Sequence, residues 1–250
     1  MQREGFRVTA EHEADHWWFR SRRDLFLCQV AHAARELGFP GRSLRLLDFG
    51  CGTGFNLSYL RAFGEVCGAD RLRPRDEGFR RQDGFPLLDV ERDLAHCEGQ
   101  FHLVTALDVL EHLDDDVDGL RALRRLLVAD GQIVLTVPAY NWLWSGEDVI
   151  SEHRRRYTRP KLVRACAAAG LAVQYVSYFN LAILPAMATV VWVRRLVART
   201  GGPRSNLWTP QPWLNAALYA LTSREANWVG TERVSLPAGT SIVCRVRGVG

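Results

Sequence analysis

Lysine is nearly missing from this sequence. Lys161 is the single lysine in 250 residues, and every other one of the 32 basic side chains is arginine. A surface built to hold nucleic acid usually mixes the two, and here 28 acids nearly balance the bases, leaving a formal charge of +4. That balance argues against a nucleic-acid partner. The six cysteines (Cys28, Cys51, Cys67, Cys97, Cys166 and Cys244) form no CxxC pair and no metal-ligand spacing, so they read as free thiols in a reducing cytoplasm. An apolar leader is also lacking, since the first 20 residues are polar and carry acids. The expected location is therefore cytoplasmic. A long hydrophobic span is missing too. Ala165 to Val193 holds no charge, but Gly170, Asn180 and Pro185 interrupt it, and Leu171 to Phe179 alternates like a strand. What remains, Leu181 to Val193, is too short to cross a bilayer and is flanked by Arg194, Arg195 and Arg199. It reads as a buried or interfacial helix with peripheral membrane contact at most.

What is present is an alternation of strands and helices. Residues 11 to 38 read as a helix that stops at Gly38. Leu44 to Gly50 is a short apolar run ending in glycine, hence a buried strand, and Phe55 to Gly64 follows as a helix. Glu65 to Asp70, Phe85 to Asp89, Phe101 to Asp108 and Gln132 to Pro138 continue the strands. Between the last two, the acids Asp114 to Asp116 cap a helix whose Val117, Leu120, Leu123 and Leu127 share a face. Such alternation means a parallel sheet covered on both faces, with its ligand beyond the carboxyl ends of the strands. Asp48, Asp70, Asp89 and Asp108 each end a strand, and four acids along one edge call for a polar ligand there.

The segment "DFGCGTG", Asp48 to Gly54, leaves a strand and opens a helix. Gly50, Gly52 and Gly54 at alternate positions permit a sharp turn and a close approach of ligand to backbone. The spacing is GxGxG, with Phe55 where a nicotinamide-binding loop would carry its last glycine. The acid that opens the loop suits a ligand with a cationic amine. Asp70, ending the next strand, is placed to pair with ribose hydroxyls.

With these motifs the chain resembles the class I S-adenosylmethionine-dependent methyltransferases. "LLDFGCGTG" is similar to their first motif, "GAD" to their ribose acid, and "LDVLEHL" (Leu107 to Leu113) to their fourth. "LRRLLVADGQIVLTVPA" resembles the segment before their fifth strand, with Ala129-Asp130-Gly131 in place of Pro-Gly-Gly. The likeness covers residues 44 to about 180. A narrower one, to a bacterial subgroup, rests on Trp17-Trp18-Phe19 with Arg22-Arg23, and on Trp144-Ser145 with His153 and Arg155 to Thr158. The resemblance implies an α/β fold with a seven-stranded Rossmann-like sheet, order 3-2-1-4-5-7-6. Residues 1–43 would be a helical lid over the cofactor mouth and 44–180 the S-adenosylmethionine-binding core. Residues 181–237 would be a Trp-rich cap inserted between strands 6 and 7, with the last strand in 238–250. It implies S-adenosylmethionine as cofactor, held by Asp48, Gly50, Cys51, Gly52 and Gly54. Asp70 would take the ribose, Asp89 (or its competitor Asp83) the adenine side, and Asp108 the meeting point of cofactor and acceptor.

For the chemistry, methyl transfer from a sulfonium needs alignment and a desolvated nucleophile. A hydroxyl acceptor also needs a base near neutral pH, which histidine supplies. His153, after strand five, and His112, after strand four, are the candidates, with Asp108 behind them. The bland alternatives are a helix-start cap for His112 and a structural contact with Glu147 or Asp148 for His153. Trp17 and Trp18 would wall the acceptor cleft, or simply fasten the first helix. Arg20, Arg22 and Arg23 would face solvent or an acidic group of the substrate, while Arg155, Arg156 and Tyr157 would hold such a group or form a solvated face. No metal is expected, because three adjacent acids at a helix start, Asp114 to Asp116, normally meet the helix dipole. Strand four is not followed by the Asn/Asp-Pro-Pro-Tyr motif of amide and adenine N-methyltransferases. The expected activity is methyl transfer to a hydroxyl of a small-molecule or glycoconjugate acceptor. The competing readings are a non-catalytic S-adenosylmethionine-binding assembly partner and a nicotinamide-dependent oxidoreductase.

Overall fold

The structure is a computed structural model that describes residues 3–38, 44–71, 84–197 and 208–248. Asp83 and Arg199, both singled out above, lie outside the described residues. The N-terminal segment forms two helices rather than one, α1 (Arg3–His12) and α2 (Trp17–Glu36). His16 breaks the expected continuous helix because it adopts an extended backbone and caps α2, its ring accepting the N–H of Trp18.

The core then runs β1 (Leu44–Phe49), α3 (Leu57–Leu60), β2 (Gly64–Asp70), β3 (Leu87–Asp89), β4 (Phe101–Leu107), α4 (Asp116–Leu126) and β5 (Leu127–Pro138). It continues through α5 (Gly146–Ile150), α6 (Arg159–Ala168) and β6 (Leu171–Phe179). Two helices, α7 (Leu184–Val197) and α8 (Pro212–Gly230), separate β6 from β7 (Ser241–Gly248). The sheet has the expected order, β3-β2-β1-β4-β5-β7-β6. β1 to β5 pair in parallel, and β7 is antiparallel to both β5 and β6.

Two elements differ from the sequence reading for local reasons. The expected helix over 55–64 contracts to the single turn of α3. Gly64 already belongs to β2, packed so closely on Leu44 that a Cβ would stand 2.0 Å from its carbonyl oxygen. β5 starts at Leu127 instead of Gln132, because Leu127 pairs with Phe101 across a register shift. Asp130, at φ 64°, absorbs the irregularity. One cluster, including Leu47, Val104, Leu120, Ile133 and Leu162, fills the side of the sheet under α4 and α6. A second, with Phe26, Val30, Leu46 and Val134, lies under α2. α8 packs on α2 closely enough that a Cβ on Gly230 would sit 2.6 Å from the Cys28 Cβ. There the Gln29 amide donates to the Gly230 carbonyl at 2.9 Å.

Candidate active site

A cavity of about 640 Å³ opens at the carboxyl ends of β1, β4 and β5. The glycine loop after β1 forms one wall. Gly50 has φ 75°, and a Cβ there would lie 2.5 Å from Val109 Cγ2, so only glycine lets the loop pass so close. Gly52, which lines the cavity, has φ 56° and, beyond its chain neighbours, no protein atom within 4 Å of the position a Cβ would take. Its N–H donates to Asp70 Oδ2 at 2.7 Å, and Asp70 Oδ1 accepts the Arg71 N–H at 2.6 Å. The end of β2 and the loop are thereby held against each other, with Asp70 and Cys51 facing the cavity. Gly54 is turned away from it, its N–H on the Cys51 carbonyl at 2.9 Å.

The N-terminal helices close over this loop through a contact that sequence reasoning missed. Thr53 Oγ1 donates to Glu13 Oε2 at 2.5 Å, and Glu13, in the break between α1 and α2, is buried on the cavity wall. Trp17 and Trp18 line the same cavity. Of the two alternatives for Arg22 and Arg23, solvent or an acidic group of the substrate, the structure excludes the first, since both are buried on the cavity wall. Arg23 donates to the Glu13 carbonyl, and Arg22 reaches the end of β4 to pair with Asp108. Helical periodicity turns Arg22 toward the sheet, where it meets Asp108, and Arg23 toward the break between α1 and α2.

Asp48 sits behind the loop rather than in the cavity. It is 2% exposed, and its Oδ1 accepts the Thr105 hydroxyl at 2.6 Å. Burial pushes its carboxyl up to about 7, with the nearby Asp70 charge adding to the effect and the Thr105 hydrogen bond opposing it. The folded carboxyl thus titrates above the unfolded one, so folding takes up a proton between about pH 4 and 7 and stability falls across that window. Asp48→Asn keeps an acceptor for Thr105 and removes the buried charge. Urea unfolding should find the variant more stable than the parent by about 2–4 kcal/mol at pH 8 and equal to it near pH 4. An identical difference at both pH values would mean that Asp48 stays ionised when folded. Asp89 is likewise off the cavity. Its Oδ1 accepts the N–H groups of Glu91 and Arg92, and Val90 faces the cavity in its place.

The acceptor side of the cavity is built by the loops after β4 and β5. Asp108 has φ 56° and its carboxylate takes Arg22 on one oxygen and the Thr136 hydroxyl, at 3.3 Å, on the other. Glu111 is fully buried with no hydrogen-bond partner on either carboxyl oxygen, and burial followed by the Asp108 charge drives its carboxyl well above the ordinary range. His153 lies beside it, Nε2 at 4.0 Å from Glu111 Oε1. The His153 Nδ1–H donates to Asp148 Oδ1 at 2.9 Å. Asp148 is buried, which alone would raise its carboxyl. The hydrogen bonds from His153 and Arg156 outweigh that and hold it well below the usual carboxylate range. His112 stacks edge-on to His153 with ring centres 4.8 Å apart, and burial, then its neighbour His153, lower it to about 4.

Of the residues expected to hold an acidic group of the acceptor, Arg156 is engaged internally by a two-toothed contact on Asp148 at 2.7 and 2.9 Å. Arg155 and Tyr157 do not line the cavity. Arg155 donates to the Leu113 and Asp114 carbonyls, and the fully buried Tyr157 donates its hydroxyl to Asp116 at 2.8 Å. Arg155 and Tyr157 tie the loop after β5 to the start of α4, while Arg156 braces that loop internally against Asp148 of α5. Asp115 caps α4, accepting the Asp118 N–H, while Asp116 serves Tyr157. Among the described residues, the donor atoms of Glu111, His112 and His153 lie within 4.8 Å of one another, a set that could hold a divalent cation.

A family model described as a methyltransferase domain matches residues 18–176. The chain belongs to the methyltransferase-domain family. A ubiquinone biosynthesis O-methyltransferase of Aeromonas salmonicida is 27% identical over 156 residues, covering 53% of this chain and 65% of that one. The Pseudomonas aeruginosa protein of the same name is 28% identical over 138 residues, covering 49% and 58%. The chain therefore spans less than two thirds of the length of these relatives. Among solved structures, the 1,6-didemethyltoxoflavin-N1-methyltransferase of Burkholderia thailandensis, with S-adenosylhomocysteine bound, superposes with a TM-score of 0.52. It is 16% identical, covering 99% of this chain and 87% of that one, a likeness of fold.

Sequence reasoning passed over Glu111, Glu13 and the inward role of Arg22. Glu111 stood inside the quoted "DVLEH" and was legible only as a neighbour of His112. Nothing in the linear pattern distinguishes a buried carboxyl with no partner from an exposed one.

Proposed function

We propose that this methyltransferase-family chain moves a methyl group from S-adenosylmethionine to a hydroxyl of a small-molecule or glycoconjugate acceptor. The observation that carries the reading is His153, held by the buried Asp148 on the cavity that the glycine loop also bounds. The residues present fit the cofactor: open space faces Gly52, and a carboxylate stands beside the loop for ribose hydroxyls. Gly50, Cys51, Gly52 and Asp70 would hold it, with Asp48, Gly54 and Asp89 supporting from behind. S-adenosylmethionine supplies an electrophilic methyl carbon on a sulfonium. The chain's part is to align the acceptor and take its proton. Asp148 orients the His153 ring through Nδ1, leaving Nε2 to accept the hydroxyl proton, and Arg156 keeps Asp148 ionised. His112, lowered to about 4, is a weak base at neutral pH, so the reading favours His153. Trp17 and Trp18, on the cavity wall, suit a ring-bearing or sugar-like acceptor. The names of the curated relatives, O-methyltransferases of ubiquinone synthesis, support a hydroxyl on a ring.

The direct test is transfer of label from methyl-labelled S-adenosylmethionine to a panel of catechol-type and sugar hydroxyls. Label in a product supports the reading. Cofactor binding without turnover on any of them would favour a non-catalytic binding protein. Calorimetry should find Asp70→Ala weaker for the cofactor by roughly 1–3 kcal/mol, the cost of hydroxyls left unpaired, with the unfolding transition little changed. An unaltered dissociation constant would move the ribose contact elsewhere. Turnover should persist in excess chelator. A loss that added magnesium or zinc restores would reassign Glu111, His112 and His153 to a metal ion.

A further inference from the structure

The two helices between β6 and β7 turn apolar surface outward. In α7, Val191 is buried while Val190, Val193 and Leu196 are exposed at three-residue steps, Leu196 to 76%, with Trp192 beside them. In α8, Thr222, Glu225, Ala226 and Val229 are buried, and Trp213, Leu221 and Trp228 are exposed with Arg224 among them, Trp213 to 71%. A helix on a soluble surface ordinarily shows charged and polar groups of both signs on its outer side. These faces show tryptophan, branched aliphatics and arginine.

Charge decides what covers them. Between them α7 and α8 carry Arg194, Arg195 and Arg224, and their single acid, Glu225, is buried. A second copy packed isologously on this surface would oppose arginine to arginine, with no exposed carboxylate of these two helices to pair them. An anionic bilayer meets both needs. Its phosphates pair with guanidinium groups, and its headgroup–acyl boundary takes up tryptophan and leucine. No helix among the described residues is long and apolar enough to cross a membrane, so the contact is peripheral.

We propose that the outer faces of α7 and α8 dock on an anionic phospholipid surface. Met187 of α7 and Trp208, just before α8, line the active-site cavity. Docking on these faces therefore holds the cavity mouth near the bilayer, where an acceptor with an apolar tail enters without crossing water. The inference goes beyond methyl transfer and does not depend on it, since vesicle binding is read without turnover.

The experiment is co-flotation of the full chain with vesicles of phosphatidylcholine alone or mixed with phosphatidylglycerol. Expected is binding to the mixed vesicles at low salt, at least about tenfold weaker on phosphatidylcholine alone and weakened again at roughly 0.5 M salt. Leu196→Glu and Trp213→Glu, both at exposed positions, should each lower partition about tenfold or more. Their unfolding transition and S-adenosylmethionine affinity should stay at parent values. Arg224→Gln provides a milder second variant that keeps the test open if a glutamate variant fails to fold. Failure to float with anionic vesicles overturns the proposal, as does undiminished binding by all three variants. So does a concentration-dependent dimer in sedimentation that the same substitutions abolish, which would give the surface to a second copy.

Discussion

His153→Ala lowers turnover about a hundredfold or more while leaving the affinity for S-adenosylmethionine unchanged. The size follows from the role: a positioned base is worth two to four orders of magnitude when the acceptor must lose a proton in the transition state. Cofactor affinity is spared because the His153 ring contacts Asp148 and His112, in the segments after β5 and β4, and not the loop after β1. His112→Ala is the internal comparison. With His112 lowered to about 4, its protonation hardly changes across neutral pH, and its loss should cost no more than about tenfold through packing of the His153 ring. If both variants keep near-full turnover from pH 6 to 8, histidine is not the base. Alignment, or an acid such as Asp108, would then carry the reaction.

Gly52→Val should reduce cofactor affinity by more than about a hundredfold, or roughly 3 kcal/mol. Two causes act together. The backbone at φ 56° is one that a β-branched residue adopts only with strain, about 1–3 kcal/mol of it. The new side chain also points into space with no protein atom within 4 Å beyond its own chain neighbours, so it competes with the ligand and not with the fold. Gly52→Ala separates the two, carrying most of the strain with little of the bulk. Calorimetric titration of the three proteins gives the ranking, and equal dissociation constants would remove the loop from the cofactor site.

The parallel α/β core and its glycine loop are legible along the chain alone. Both depend on short-range patterns: apolar runs ending in Gly50 or an acid, helical spacing between them, and glycines where the backbone must turn left-handed. Strand order was legible only through the resemblance, because nothing local says which strands become neighbours. Tertiary structure decided the rest of the site. Asp48, expected to meet the ligand, is walled in by Thr105, a partner on β4 that no spacing along the chain announces. Arg22 becomes internal because α2 lies against the sheet, bringing its guanidinium to Asp108 far along the chain. Arg156 and Tyr157 sit in what looks like a solvent-facing charge run until Asp148 of α5 takes the first and Asp116 of α4 the second. His153 acquires a definite orientation in the same way, from Asp148 five residues earlier, once α5 turns that carboxylate inward. A buried charge must find its partner wherever the packed elements supply one, so pairing is settled by three-dimensional neighbours rather than by the order of residues.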